Sequence, residues 1–284
     1  MPTFPVIITV AKDESSIAAA IDPILYCDTV TQGLLPVTIS SAAQEALVPD
    51  STILSGILHD VAADKLAEWT VLPNTLTTCT FRIHVETVRP SYPSDLLIRL
   101  EAASGSNLAA LAGLQALAHA QLPHLVPTVL HVGAVTDADG REMEDSITPY
   151  YTGTATLEEV WDTLGQDDQR GVVDVVVRAV ETLQKAVCGQ VGGPKLGYSP
   201  DVQGFLRGLP LRNCSLSEVA GGDLVLSSMS ADIGQVTFSP SDLADLNRHV
   251  VFCHNDLEPR NIFVRSVAGR CEVAAIIDWE MAGF

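Results

Sequence analysis

Residues Val250–Phe284 read V-V-F-C-H-N-D-L-E-P-R-N-I-F-V-R-S-V-A-G-R-C-E-V-A-A-I-I-D-W-E-M-A-G-F. The apolar run Val250–Cys253 predicts a short buried strand that leads into a polar loop. Ile262–Val264 and Cys271–Ile277 predict two strands of similar length, joined by a turn at Val267-Ala268-Gly269-Arg270. Such a ribbon carries Asn261 at its first end and Asp278 just past its last, so the two ends return to one place. Asp256, five residues before Asn261, enters the same space from the loop.

Two carboxylates and an amide oxygen on rigid supports suit a hard cation such as Mg²⁺, which takes oxygen ligands and keeps phosphates and waters in its shell. Phosphoryl transfer uses that chemistry, with a metal neutralising phosphate charge and a separate carboxylate orienting the attacking hydroxyl. Asp256 fits the base, Asn261 and Asp278 fit the metal, and His254 fits a role in ordering the loop. The competing reading is a hairpin whose Asp and Asn only cap turns, as these residues often do. Turn chemistry does not call for this residue set at this spacing.

H-N-D-L-E-P-R-N-I-F-V followed by A-I-I-D-W-E-M-A-G resembles the aminoglycoside phosphotransferase and choline kinase group, including phosphotransferase-family proteins of fungi. It is more loosely similar to the catalytic and metal-binding motifs of protein kinases. The resemblance implies an α+β, bilobal, protein-kinase-like fold, with a small β-rich N-lobe and a mainly helical C-lobe. It implies ATP and Mg²⁺ as cofactors and a small-molecule hydroxyl acceptor. On the matching positions, Asp256 resembles the catalytic Asp, with His254 beside it, and Asn261 and Asp278 resemble the metal ligands. D-L-L-I-R-L, Asp95–Leu100, resembles the strand that presents a basic residue to the α/β-phosphates, here Arg99. T-P-Y-Y-T-G-T-A-T-L-E-E-V-W, from Thr148 to Trp161, resembles the linker between lobes, which implies that Thr148 and Tyr150 lie near the adenine.

Working outward from the motif, Thr78–Val88 alternates Phe81, Ile83 and Val85 with Arg82, His84 and Glu86, the period of a half-buried strand. Leu96–Leu100 reads as a second strand, and Val126–Val132 and Ser146–Tyr151 as two more. Ser106 is placed to cap an Ala/Leu-rich helix over Asn107–Ala120. Thr156-x-x-Glu159 is a capping box. Asp168–Val187 reads as a long helix, apolar over much of its surface and therefore expected to be buried. Residues 189–238 read as loop-rich, and Ser239 or Ser241 starts a short helix ending near His249. Ser40 is placed to cap a helix over Ser41–Leu47. The expected domains are an N-terminal extension at 1–60, an N-lobe at 61–151 and a C-lobe at 152–284.

Three departures from the family pattern bear on activity. Leu72–Arg82, where a phosphate-wrapping loop is expected, contains no glycine, which leaves Thr75, Thr77 and Thr78 hydroxyls as donors. The helix at Asn107–Ala120 holds no acid to orient Arg99, and an Arg on a strand can also be a solvated charge. Relatives of the group continue past D-W-E, so a C-lobe ending at Phe284 is expected to be truncated, with that surface met by residues 1–60, by an oligomer or partner chain, or by nothing. These features keep open a catalytically impaired pseudokinase or paralogue serving as a nucleotide-binding or interaction module. Metal-assisted hydrolysis is a third use of the same residues.

With 284 residues and 47% of them hydrophobic, the chain can bury a sizeable core. Thirty-five acidic against sixteen basic residues give a net charge of −19. That field disfavours nucleic acid and anionic membranes and favours a cationic acceptor, although acidity also serves solubility alone. The six cysteines are scattered without a C-x-x-C pair, so reduced thiols are expected. His59, His84, His119, His124, His131 and His249 form no i, i+4 pair of metal-site type. No apolar run of membrane length and no leader-like N-terminus is seen, so a cytoplasmic protein is the expectation.

Overall fold

The computed structural model describes residues 47–61, 66–75, 77–86, 92–103, 106–186, 189–209, 214–228 and 234–284. The expected helix at Ser41–Leu47 lies, except for Leu47, outside these residues. Of the described residues, 47–172 and 262–277 form one compact unit, and 173–261 with 278–284 form another. These limits differ from breaks at 60 and 151. Residues 152–172 and the 262–277 ribbon belong with the first unit, as does the helix starting at Ser51.

The first unit is built on a five-stranded antiparallel sheet in the order β1-β2-β3-β5-β4. Its strands are β1 (Leu66–Asn74), β2 (Thr78–Val85), β3 (Asp95–Ala102), β4 (His131–Thr136) and β5 (Glu142–Pro149). The alternation read in β2 is realised: Cys79, Phe81, Ile83 and Val85 are buried while the residues between them are half-exposed. Leu96, Ile98 and Leu100 of β3 and Met143 and Ile147 of β5 join them in one apolar cluster. Helix α1 (Ser51–Asp60) covers that face with Ile53, Ile57 and Val61, an i, i+4, i+8 stripe. Its sequence signal, Asp50 ahead of spaced apolar residues, is a helix start that the proline-rich surroundings obscured.

Asp50 does two jobs. One carboxylate oxygen accepts from the Thr52 and Ile53 backbone N–H groups, each at 2.8 Å, and the other accepts from Ala138 N–H, also at 2.8 Å. The cap therefore ties the helix to the β4–β5 turn. The N–H groups of Ile53 and Ala138 hold the carboxyl below its ordinary pKa. A lowered folded-state pKa contributes stability at neutral pH that is lost as pH falls through that value. Asp50→Asn keeps an oxygen for the helix but turns an amide toward Ala138. It should cost about 1–2 kcal/mol near pH 7, with the gap in thermal midpoint from wild type closing below about pH 4.

On the opposite face, register places Arg82, Leu97 and Thr148 in one row and Thr80, Arg99 and Ser146 in the next. Thr78, Glu101 and Glu144 form a third row. Helix α2 (Leu108–Gln121) follows β3 and buries Leu108, Leu111, Leu114 and Ala118. Its N-cap, Asn107, makes no side-chain capping bond, while Ser106 Oγ accepts weakly from Leu108 N–H at 3.4 Å. The Thr156 capping box is present, opening the short helix α3 (Leu157–Val160) directly after β6 (Ala155–Thr156). β6 pairs with the ribbon β12 (Ile262–Val267), which pairs in turn with β13 (Arg270–Ile276). Ala268 and Gly269 both have positive φ, giving the tight two-residue turn that a hairpin of right-handed twist needs.

Helix α4 (Gln166–Leu183) buries Val172, Ala179 and Leu183 but leaves Val173 46% and Val177 48% exposed. The expectation of a buried helix is thus corrected. Its valines cover a wide arc of the helix, while the charges at Arg170, Asp174, Arg178 and Glu181 keep one side in water.

The second unit holds more strand than its weak signals indicated. A short ribbon of β7 (Val191–Gly193) and β8 (Gly197–Ser199) precedes α5 (Val202–Gly208). A three-stranded sheet of β9 (Cys214–Glu218), β10 (Leu224–Ser228) and β11 (Gln235–Phe238) follows. Helix α6 (Pro240–Arg248) starts from a capping box of Ser239 and Asp242. Phe205, Leu206, Leu224, Phe238, Leu243 and Leu246 fill the core between these elements. Among the described residues, no helix is long and apolar enough to cross a membrane.

Candidate active site

Helix α6 ends at His249, and the chain then runs into the polar loop of the second unit. Val250–Cys253 forms no continuous strand: Phe252 is buried, and Cys253 makes a single bridge to Gly283. His254, Asp256 and Asn261 are 4%, 3% and 5% exposed, an unusual concentration of buried polar side chains within eight residues. Each is held. Asn261 Nδ2 donates to the Asp256 carbonyl oxygen at 2.8 Å and to Asp256 Oδ2 at 3.0 Å. The Asp256 N–H is directed to His254 Nδ1 at 3.3 Å. With Nδ1 accepting, the neutral imidazole carries its proton on Nε2.

The Asn261 amide nitrogen is committed to Asp256, so Oδ1, the atom through which an amide binds a cation, points the other way. Asp256 Oδ1 has Arg260 Nη2 at 3.5 Å, and the same guanidinium holds Glu258 at 2.7 Å. Arg260 and Glu258 were not singled out in the sequence. The i, i+4 spacing of Asp256 and Arg260 was their only signal.

Ile262 pairs with Ile276, so the chain leaves at Asn261 and re-enters at Ile277–Asp278 side by side. Residues 278–284 then fold back on the loop. Trp279 stacks parallel to Phe252 at 6.1 Å between centroids and meets the His254 ring edge-on at 4.5 Å. Asn255 Nδ2 donates to the Met281 carbonyl at 3.2 Å. Asp278 itself is partly exposed and sits at φ 64°, ψ 59°, and Asn255 sits at φ 62°. Left-handed backbone at non-glycine residues is sparse and gathers at functional sites.

The last strand-like residues are clamped from both sides. Gly283 exchanges backbone bonds with Cys253, at 2.8 and 3.0 Å, while Phe284 exchanges them with Gly192. Glycine is required on both sides: an added Cβ at Gly283 would strike the Gly192 carbonyl oxygen, and at Gly192, where φ is +105°, one would strike the Gly197 carbonyl oxygen within the β7–β8 ribbon. Gly192→Ala should therefore destabilise the protein by about 2–4 kcal/mol, read as a lowered urea midpoint.

In the first unit, Arg99 lies on β3 with its side chain 28% exposed, and it is oriented after all. Its Nε and Nη2 reach Glu101 Oε1 at 2.8 and 2.7 Å. The missing acid is two residues along the same strand, not on the following helix. Thr148 shares that sheet face with Arg99 through the β3–β5 register. Tyr150 follows β5, and the Arg82 guanidinium lies 4.8 Å from its ring centroid. In the β1–β2 turn, Thr75 Oγ1 accepts from the Thr77 and Thr78 N–H groups, at 3.3 and 3.1 Å. These bonds tie Thr75 and two backbone donors into the turn itself, whereas the Thr77 side chain is exposed.

Among the described residues, no three His, Cys, Asp or Glu side chains gather as a metal site. A cation here would rest on two carboxylates and an amide, with the remaining positions supplied by phosphate and water. That donor set fits Mg²⁺ better than Zn²⁺.

A model described as the phosphotransferase enzyme family matches residues 99–284, well over half of the chain, and the chain belongs to that family. The matched stretch begins at Arg99 and takes in every residue of the buried loop and the ribbon after it. A solved structure of an aminoglycoside 2'-phosphotransferase-IIIa point mutant in complex with GDP is similar to this chain at 11% identity. The match covers 81% of this chain and 71% of that one, with a TM-score of 0.40. No curated protein matches.

Proposed function

We propose that this phosphotransferase moves the terminal phosphoryl group of ATP to a hydroxyl of a small molecule. The reading is carried by one observation: a carboxylate 3% exposed, Asp256, fixed through its carbonyl and one carboxylate oxygen by the Asn261 amide. A buried carboxylate with one oxygen occupied and the other only loosely approached, at 3.5 Å, is arranged to accept a proton. Asp256 Oδ1 takes the acceptor hydroxyl's proton as the oxygen attacks phosphorus. Asn261 keeps the carboxylate from rotating, and His254 fixes the backbone that carries it.

Asn261 Oδ1 and Asp278 would hold Mg²⁺, which when bound offsets negative charge on the transferring phosphates. Arg99, Thr77, Thr148 and Tyr150 are the residues proposed for the nucleotide. The net charge of −19 favours an acceptor bearing positive charge.

The closed Thr75 turn, which draws two amides away from any phosphate, favours a second reading: a member of the family that binds nucleotide weakly and transfers nothing. Thermal melting with and without Mg²⁺·ATP, followed by a panel of hydroxyl compounds assayed for ADP and phosphorylated product, separates the two. Stabilisation plus product supports transfer, and stabilisation with no product supports the binding module. ADP released without a phosphorylated acceptor would indicate hydrolysis, and no stabilisation would remove ATP from the picture.

A further inference from the structure

We propose that Glu101 is the positioning residue for Arg99, and that Ser106 at the head of helix α2 fixes Glu101 in turn. The proposal rests on the nucleotide reading above and deepens it. Residues i and i+2 of a strand share a face about 7 Å apart, a span two long side chains cross easily. The two contacts that Arg99 makes to Glu101 both fall on Oε1. Ser106 Oγ lies 3.2 Å from the other, Oε2, and 2.7 Å from Glu144 Oε2 on the paired strand, so its single proton bridges the two carboxylates with the shorter contact to Glu144.

Burial is uneven across the pair. The Glu101 side chain is 8% exposed and that of Arg99 is 28%. A carboxylate buried to that degree is costly unless paired and hydrogen-bonded. Here it is anchored beneath, with the guanidinium carried toward solvent on the polar face of the sheet. A guanidinium on a flexible stem loses rotamer freedom when it engages an anion. One held beforehand by a buried acid has already lost it, which is the usual gain of preorganisation. The strand-borne acid thus replaces a helix-borne one, and Ser106 couples its position to the start of α2.

Two probes test this on the full chain by displacement of a fluorescent nucleotide: Mg²⁺·ATP, which carries phosphates, and adenosine, which does not. Glu101→Gln should weaken Mg²⁺·ATP about 10- to 100-fold, the loss expected for a charge-assisted contact, and leave adenosine within about two-fold. Arg99→Ala should show the same split, and the double variant should lose no more than Arg99→Ala alone. Ser106→Ala should weaken Mg²⁺·ATP several-fold without touching the ion pair, and it carries the test if Glu101→Gln does not fold. Equal losses for both probes would make Glu101 merely structural and overturn the proposal, as would additive losses or unchanged ATP affinity in Glu101→Gln. Wild type binding Mg²⁺·ATP while Arg99→Ala binds it equally well would overturn the positioning role and leave the nucleotide reading standing. Wild type binding neither probe would end both.

Discussion

Asp256→Asn should reduce turnover about 10²- to 10⁴-fold, the range a positioned general base supplies, while leaving Mg²⁺·ATP affinity within a few-fold of wild type. The replacement is nearly isosteric. The carbonyl oxygen that anchors Asn261 at 2.8 Å is backbone and survives, so the loop should keep its shape. What changes is the acceptor: an amide oxygen does not take a proton near neutral pH. Steady-state rates on an identified acceptor, beside calorimetric nucleotide affinity, check the split. A variant that turns over normally would show that Asp256 is not the base. One that loses nucleotide binding along with rate would show that its role is to hold the site together.

Asp278→Ala should lower Mg²⁺-dependent affinity for ATP by more than about 100-fold. Loss of even an outer partner of a metal site costs 10- to 100-fold, and here one of few charged donors disappears. Affinity measured in EDTA should hardly move, because nucleotide bound without the metal does not engage this carboxylate. The substitution also places a Cβ-bearing residue without a compensating side chain at φ 64°. The variant's melting temperature must therefore be measured alongside, and Asp278→Asn, which tolerates that backbone, separates charge from strain. Equal losses with and without metal would argue against a cation at Asp278.

The buried polar loop proposed as the site was legible because its residues are local. His254, Asp256 and Asn261 lie within eight positions, and the ribbon that returns the chain to Asp278 shows itself in two apolar runs around Ala268-Gly269. Strand β2 was legible for the same reason, its period of two being unbroken from Cys79 to Val85. Glu101 carries no signal in the sequence, because the pattern of the group places the orienting acid on the helix after β3, while here the strand itself holds the acid that Arg99 meets. The sheet from Cys214 to Phe238 was hidden by its composition. Its strands are four or five residues, mostly Ser, Val and Leu, between turns, too short for a period to emerge. The exposure of Val173 and Val177 was hard to read for the opposite reason: the valines cover a wide arc of the helix, and these two stand at its edge beside the charged side formed by Asp174 and Arg178.

At position 278 two demands fall on a single residue. A left-handed backbone there admits little beyond Gly, Asn and Asp, and the cation proposed above would admit only the last of these at full strength. The residues most easily accommodated in its place would thus leave the fold intact and silence the chemistry. A lineage carrying this loop could lose its activity in a single codon and keep a well-folded protein, so sound folding in any descendant would be poor evidence of a working enzyme.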